Sequence, residues 1–167
     1  MKTIELTRGK IALVDDSDFD WVEKLSWRAT RTCPTGIERW YALHTVGPSG
    51  ETMYMHREIM IRLGFSPDTL FDHRDGDGLN NQRSNLRPCS ATENVRNRRK
   101  EPGLSSRFKG VYWHIRDEKW IARLVNNRKS IYIGAFNDEE SAGRAYDKKA
   151  SVLFGEFAKL NFPTVLT

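Results

Sequence analysis

The sequence is short of the residues that staple small folds and of the runs that enter membranes. Two cysteines, Cys33 and Cys89, stand among 167 residues, too few for a disulfide framework or a four-cysteine zinc site. A reducing cytosolic setting is the simplest expectation. No apolar stretch approaches the ~20 residues of a membrane span, and the start Met1-Lys2-Thr3-Ile4-Glu5 has no signal-peptide core, so a soluble protein is expected. Internal repeats and low-complexity tracts are also missing. What is present is enough apolar material, 38% of residues, for a real core in one or two domains. Net charge is +5 with a pI near 9.3, and the excess is local. Residues 98–167 carry 14 basic and 8 acidic side chains while the first 97 nearly balance, which points the second part towards a polyanionic partner.

The densest polar signal runs Phe71-Asp72-His73-Arg74-Asp75-Gly76-Asp77-Gly78-Leu79-Asn80-Asn81, then Asn85-Leu86-Arg87 and Ser90-Ala91-Thr92-Glu93-Asn94. Thr69-Leu70-Phe71 has strand character and places Asp72-His73 at the strand's end. The Gly, Asp and Asn residues up to Ser84 favour turns and stop the strand; Asp75, Asp77, Asn80 and Asn81 are most simply turn formers. Asn85-Leu86-Arg87 allows a second strand, ended by Pro88. Ser90 with Glu93 predicts a helix start, which puts Asn94 about one turn in, on a side able to face His73. Strand, loop, strand and helix can thus gather a carboxylate, an imidazole and a carboxamide, the parts needed to hydrolyse a phosphodiester. Asp75 and Asp77 open like an EF-hand, but Leu79 occupies the next ligand position and no bidentate Glu follows, so a calcium loop is not expected.

From His56 to Asn97 the chain resembles the HNH nuclease superfamily, in the homing-endonuclease-like branch whose first motif is Asp-His. The resemblance rests on Met55-His56-Arg57 before a short helix, Asp72-His73, the Asp-Gly and Asn-Asn loop, Asn85-Leu86-Arg87 and Glu93-Asn94. It implies a ββα-metal fold with His73 as general base, Asp72 and Asn94 as the protein ligands of one divalent cation, and Asn85 as the central residue that ties the loop down. Hard oxygen ligands with open water positions suit Mg²⁺ or Mn²⁺, and no structural zinc is expected. His56 and Arg57 are candidate DNA contacts. For His56, a phosphate contact and a plain hydrogen-bonding role at a helix start are equally open.

The second half alternates with period two. Val111, Trp113 and Ile115 point one way and Tyr112, His114 and Arg116 the other. Asp117-Glu118 predicts a turn, Trp120, Ala122 and Leu124 lie opposite Arg123, Asn126-Asn127 signals a hairpin, and Ile131 and Ile133 oppose Ser130 and Tyr132. Three antiparallel strands with one apolar face need a cover. A helix starting from Asn137 and Glu140, with Ala142, Tyr146, Ala150 and Leu153 on one stripe and a stop at Gly155, supplies it. From Arg107 to Pro163 this resembles the AP2/ERF DNA-binding domain, through Phe108-Lys109-Gly110-Val111, Ile133-Gly134-Ala135-Phe136, Ala145-Tyr146-Asp147 and Lys159-Leu160-Asn161-Phe162-Pro163. That family lays its exposed sheet face in the major groove, which implies Lys109, Tyr112, His114, Arg116, Arg123, Ser130 and Tyr132 as contacts. Tyr112 and His114 stand where Arg is usual and Arg123 where an acid is usual, so the plant target sequence is not implied.

The first fifty residues say least. Lys10 to Val14 and Trp40 to Leu43 read as strands, Ser17 as a helix cap, and Pro48-Ser49-Gly50 as a turn; the segment is assigned to the nuclease domain as scaffold. The expected architecture is α+β: a nuclease domain over 1–97 with its ββα-metal core about 69–97, a linker at 98–106, and the AP2/ERF-like sheet and helix at 107–163. The expected function is a metal-dependent homing-type DNA endonuclease, hydrolysing double-stranded DNA as a nicking monomer or a homodimer in the cytoplasm of a bacterial or phage-infected cell. A non-catalytic DNA-binding regulator is the alternative, and an RNA-binding protein the weaker third, supported by Tyr112 and Tyr132 as stacking platforms.

Overall fold

Short strands separated by Gly, Asp and Asn turns cannot build one large sheet, and the computed structural model shows four small antiparallel sheets and four α-helices among the described residues, 1–32, 38–48, 50–98, 100, 103 and 105–162. The architecture is α+β. The chain divides into two units, Met1–Asn94 and Val95–Thr167. Much of the linker expected at 98–106 lies outside the described residues.

In the first unit β1 (Lys2–Glu5) pairs with β2 (Ile11–Val14), burying Ile4, Ala12 and Val14 on alternate positions. Helix α1 (Asp16–Val22) follows. Ser17 is inside this helix rather than at its cap; Asp15 holds the N-cap position without a side-chain capping bond, because its Oδ2 accepts instead from the Arg83 backbone N–H at 2.7 Å. A second sheet, ordered β3 (Arg28–Arg31), β4 (Trp40–Val46), β5 (Glu51–Tyr54), leads into α2 (Met55–Arg62). Sequence periodicity predicted neither β1 nor β3, each of which buries a single residue, Ile4 and Ala29. The core gathers Val14, Val22, Trp27, Met55, Ile59, Phe71 and Leu86.

The hairpin that carries the polar motif is β6 (Leu70–His73) paired with β7 (Leu86–Cys89), followed by α3 (Ala91–Arg96), inside which the two units divide. Pro88 does not end β7 as expected; it sits within it opposite Phe71, and a two-stranded sheet has only edges, where proline is tolerated. The capping box forms as predicted. Glu93 Oε2 accepts from the Ser90 N–H at 2.7 Å, and Ser90 Oγ accepts from the Glu93 N–H at 3.2 Å.

In the second unit β8 (Val111–His114), β9 (Lys119–Asn126) and β10 (Lys129–Phe136) form a sheet ordered β10-β9-β8, with α4 (Glu139–Phe154) packed on it. Three expectations are corrected. Ile115 is not on the apolar face: β8 stops at His114 and Ile115 is 82% exposed in the turn. The hairpin pivots on Asn127-Arg128, both at positive φ, because Asn126 already pairs with Lys129. The α4 cap is Asp138, whose carboxylate accepts from the Ser141 N–H at 2.7 Å, and not Asn137. Gly155 ends the helix at φ 52. Ala142 and Ala150 let α4 approach closely, while Gly110, at φ 75, leaves the place for the Tyr146 ring that a Cβ would strike at 2.0 Å.

Candidate functional site

The register of β6 and β7 sets Asp72 directly opposite Arg87 and His73 opposite Leu86. Residues directly opposite share a face, and the Asp72 carboxylate accepts at Oδ2 from Arg87 Nη2 at 2.8 Å and Nε at 3.3 Å. Both side chains are almost solvent-free, so the pair acts in a low-dielectric setting where each charge needs the other. His73 beside them is buried as well.

The loop between the strands is closed by its own carboxylates and carboxamides. Asn85 Oδ1 accepts from the Asp75 N–H at 3.1 Å, and its Nδ2 donates to Asp75 Oδ1 and to the Asn80 carbonyl. Asp75 also accepts from the Asp77 N–H and from Asn80 Nδ2, and Asp77 from the Leu79 N–H. These are local side-chain turns, as the residue types predict. Less expected is the anchor beneath them. The Leu13 N–H donates to the Leu79 carbonyl and the Asn81 N–H to the Leu13 carbonyl, each at 2.8 Å, and Arg83 grips the buried Asp18 carboxylate through Nε and Nη2, each at 2.7 Å. The N-terminal segment is therefore the floor of this loop.

Aromatic rings and a second imidazole surround His73. The His56 ring stands 4.9 Å from it, centroid to centroid and edge to face, and Tyr41 lies 5.8 Å from His73 and 5.7 Å from His56. Gly78 in the loop packs so closely that a Cβ would come within 2.7 Å of the Tyr41 ring. Tyr41 was absent from the expected site; its place on a strand 32 positions upstream of His73 left no local signal. Burial holds the His73 imidazole below its usual value, opposed by the neighbouring Asn81 carboxamide and by the charges of Asp75, Asp72 and Asp77. Burial, then His73 and Arg57, pushes His56 down to about 3. Both rings are neutral at pH 7, the form that can take up a proton.

Asn94 is half-buried in α3, its N–H donating to the Ser90 carbonyl. Burial, Asp72 and Glu93 together raise the Cys89 thiol to about 11, so the carboxylates of β6 and of the α3 first turn act on one neighbourhood. Arg57 donates to the Pro67 carbonyl, joining α2 to the approach to β6. Among the described residues no three His, Cys, Asp or Glu side chains cluster as a metal site.

On the sheet of the second unit, Tyr112, His114, Arg123, Ser130 and Tyr132 share the outer face, since Tyr132 is opposite Arg123 and Ser130 opposite Val125. The Arg123 guanidinium lies 6.0 Å over the Tyr112 ring, Tyr132 is 65% exposed, and His114 Nδ1 is 3.1 Å from an Asp117 carboxylate oxygen. Arg116 projects from the β8–β9 turn. The Lys109 ammonium donates to the Arg96 and Arg98 carbonyls within the unit, and burial pulls it down to about 8.

No family model matches the sequence. An uncharacterized HNH endonuclease of Acanthamoeba polyphaga mimivirus is 37% identical over 112 residues, covering 65% of this chain and 57% of that protein. An ethylene-responsive transcription factor of Arabidopsis thaliana is 38% identical over 66 residues, 36% of either chain, and a dehydration-responsive element-binding protein of the same plant is 37% identical over 67 residues, 34% of this chain and 27% of that protein. The chain is homologous to both groups. The AP2/ERF-type match falls on a stretch separate from the HNH-type match, consistent with a fusion. This chain spans a little over half the length of the viral HNH relative and about a third of the first plant factor.

Proposed function

We propose that this chain is a divalent-cation-dependent DNA endonuclease of the homing type, in which the HNH-type unit cuts and the AP2/ERF-type sheet holds duplex DNA. The observation that carries the reading is the neutral, buried His73 at the end of β6, beside Asp72 on a strand-loop-strand-helix hairpin. A neutral imidazole there takes the proton of the water that attacks phosphorus. Asp72, oriented by Arg87, and Asn94 are hard oxygen donors of the kind that hold Mg²⁺ or Mn²⁺. When bound, such a cation supplies charge stabilisation to the phosphorane-like transition state and the leaving 3′-oxygen. Asn85 keeps the loop closed while substrate binds. Arg123 and Tyr132 add phosphate and base-edge contacts on a surface that fits the major groove. A short linker, expected at 98–106, raises the effective concentration of the cutting unit at a site the sheet has bound. No helix among the described residues is long and apolar enough to cross a membrane, and action in the cytoplasm completes the proposal.

One observation favours a second reading, a DNA-binding regulator that does not cut. Arg87 already neutralises Asp72, and a paired carboxylate attracts a cation less than a bare one. Supercoiled plasmid incubated with Mg²⁺ or Mn²⁺ separates the two. The nuclease reading predicts nicked or linear product; mobility shift without any cutting in either metal would establish the regulator.

A further inference from the structure

The loop that joins β1 to β2 is short and closed at both ends. The Leu6 N–H donates to the Lys10 carbonyl at 2.9 Å and the Lys10 N–H to the Thr7 carbonyl at 3.4 Å, and Thr7 Oγ1 accepts from the Ala29 N–H at 3.0 Å, which pins the loop to β3. At its tip Arg8 is at φ 63 and ψ 27, with Gly9 following at φ 63. Glycine enters that left-handed region freely, whereas an arginine held there carries backbone strain. The strain goes with a specific placement of its side chain. The Arg8 guanidinium carbon lies 5.7 Å and the Lys10 ammonium 4.8 Å from the centroid of the Trp40 ring. That ring is half-buried and packs on the core of the first unit. It is oriented by Glu38, whose Oε2 accepts from Trp40 Nε1 at 3.1 Å while Oε1 accepts from Arg31 at 2.9 Å. Among the described residues neither Arg8 nor Lys10 makes a side-chain hydrogen bond or an ion pair; Lys10 reaches Glu38 only through its charge. Two cations gathered on one aromatic ring repel each other, and an anion beside them relieves that repulsion.

We propose that Arg8 and Lys10, displayed on Trp40, form a phosphate-backbone contact through which the HNH-type unit itself grips duplex DNA. This contact rests on the reading of the chain as a DNA endonuclease and adds a second hold to that of the AP2/ERF-type sheet. The guanidinium fork matches two phosphate oxygens, the ammonium adds a compact charge, and the fixed indole keeps both from wandering. The place fits as well. Gly78 of the candidate-site loop lies against the Trp40 carbonyl, which a Cβ there would meet at 2.4 Å. Successive strand residues point to opposite faces, and Tyr41 is the one beside His73. The cations on Trp40 therefore stand across β4 from His73 and take a phosphate other than the one that is cut. They act on affinity and leave the chemical step alone.

The test is Arg8→Gly combined with Lys10→Gln in the full-length protein. Glycine suits the φ at the loop tip, so both charges are removed with the fold kept. Binding to a labelled duplex, followed by fluorescence anisotropy without divalent cations over a range of salt concentrations, should weaken roughly 10-fold, with a slope of log K against log[salt] shallower by about one to two units. The loss should add to that of Arg123→Ala, and cleavage at saturating DNA should keep the wild-type rate. Lys148→Gln with Lys149→Gln, the same loss of charge at exposed positions of α4, should change neither affinity nor slope. Unaltered affinity and slope in the Arg8/Lys10 variant overturn the proposal, as does an equal loss in the α4 variant. A wild-type protein that binds no duplex sinks the DNA reading along with the contact, whereas the expected loss of binding in a protein that never cuts removes the nuclease and leaves the contact standing.

Discussion

The two units combine apolar packing and polar bonds in different places. In the second, a helix with small residues at its contact stripe lies on an alternating sheet through apolar packing among Val111, Ala122, Leu124, Ala142, Tyr146 and Phe154, and the buried Asp147 carboxylate, accepting from Asn161 and Phe162, ties the end of the unit to α4. In the first, the hairpin that bears His73 has an apolar underside, but its shape is set by side-chain polar bonds, two within the hairpin, Asp72 with Arg87 and Asn85 with Asp75, and one that reaches far upstream, Asp18 with Arg83. Packing of the first kind tolerates gradual change. Polar bonds buried away from water fail sharply when one partner is lost, because the other is left charged or unsatisfied.

The sharpest way to break this contrast is Arg87→Met. It removes the guanidinium paired with the buried Asp72 carboxylate, and the first unit should lose about 3–5 kcal/mol in urea unfolding, much of it regained in Asp72→Leu/Arg87→Met. The matching lesion in the second unit is steric. Gly110→Ala forces a Cβ into the Tyr146 ring at positive φ and should cost about 3 kcal/mol. Asp18→Asn is milder, since Arg83 keeps water at 39% side-chain exposure; a loss of about 1–2 kcal/mol is expected, with cleavage falling further than stability explains. Arg123→Ala should leave folding intact, weaken DNA binding by about 1 kcal/mol and lower the salt dependence of log K by about one unit.

The smallest effect sharpens the comparison through pH. His56 has an ordinary value of 6.5 and is held to about 3 in the folded chain. Between those values the unfolded chain binds a proton that the folded one does not, so stability is complete above pH 6.5 and declines as pH falls. From pH 6.5 to 5.5 the loss is at most about 1 kcal/mol. His56→Phe should lessen that slope in thermal melts of the first unit, leaving the part due to His73, and the second unit should not respond.

Legibility followed the same divide. The sheet and helix of the second unit could be read from alternation and a Gly stop, because apolar burial repeats with the period of the backbone; Ile115 and the Asn137 cap failed where strand gave way to turn and no period operates. The strand-loop-strand-helix order around Asp72, His73, Asn85 and Glu93 was legible from turn chemistry and a capping box. The partners from far upstream were not. Nothing near Asp18 marks it for Arg83, nor Tyr41 for His73, since a charge or ring that meets its partner across 65 or 32 positions carries no local pattern. Lys109 shows the same limit: nothing near it in sequence marks its ammonium for the Arg96 and Arg98 carbonyls.

The claim that one unit cuts while the other holds is tested most directly by scoring binding and cleavage of the same duplex, in Mg²⁺ or Mn²⁺, for His73→Ala and for Arg123→Ala combined with Tyr132→Ala. The account predicts that the first variant shifts DNA like wild type and leaves it whole, and that the second binds weakly yet still cuts at high protein concentration. Undiminished cutting by His73→Ala, or normal affinity after loss of both sheet residues, would contradict it.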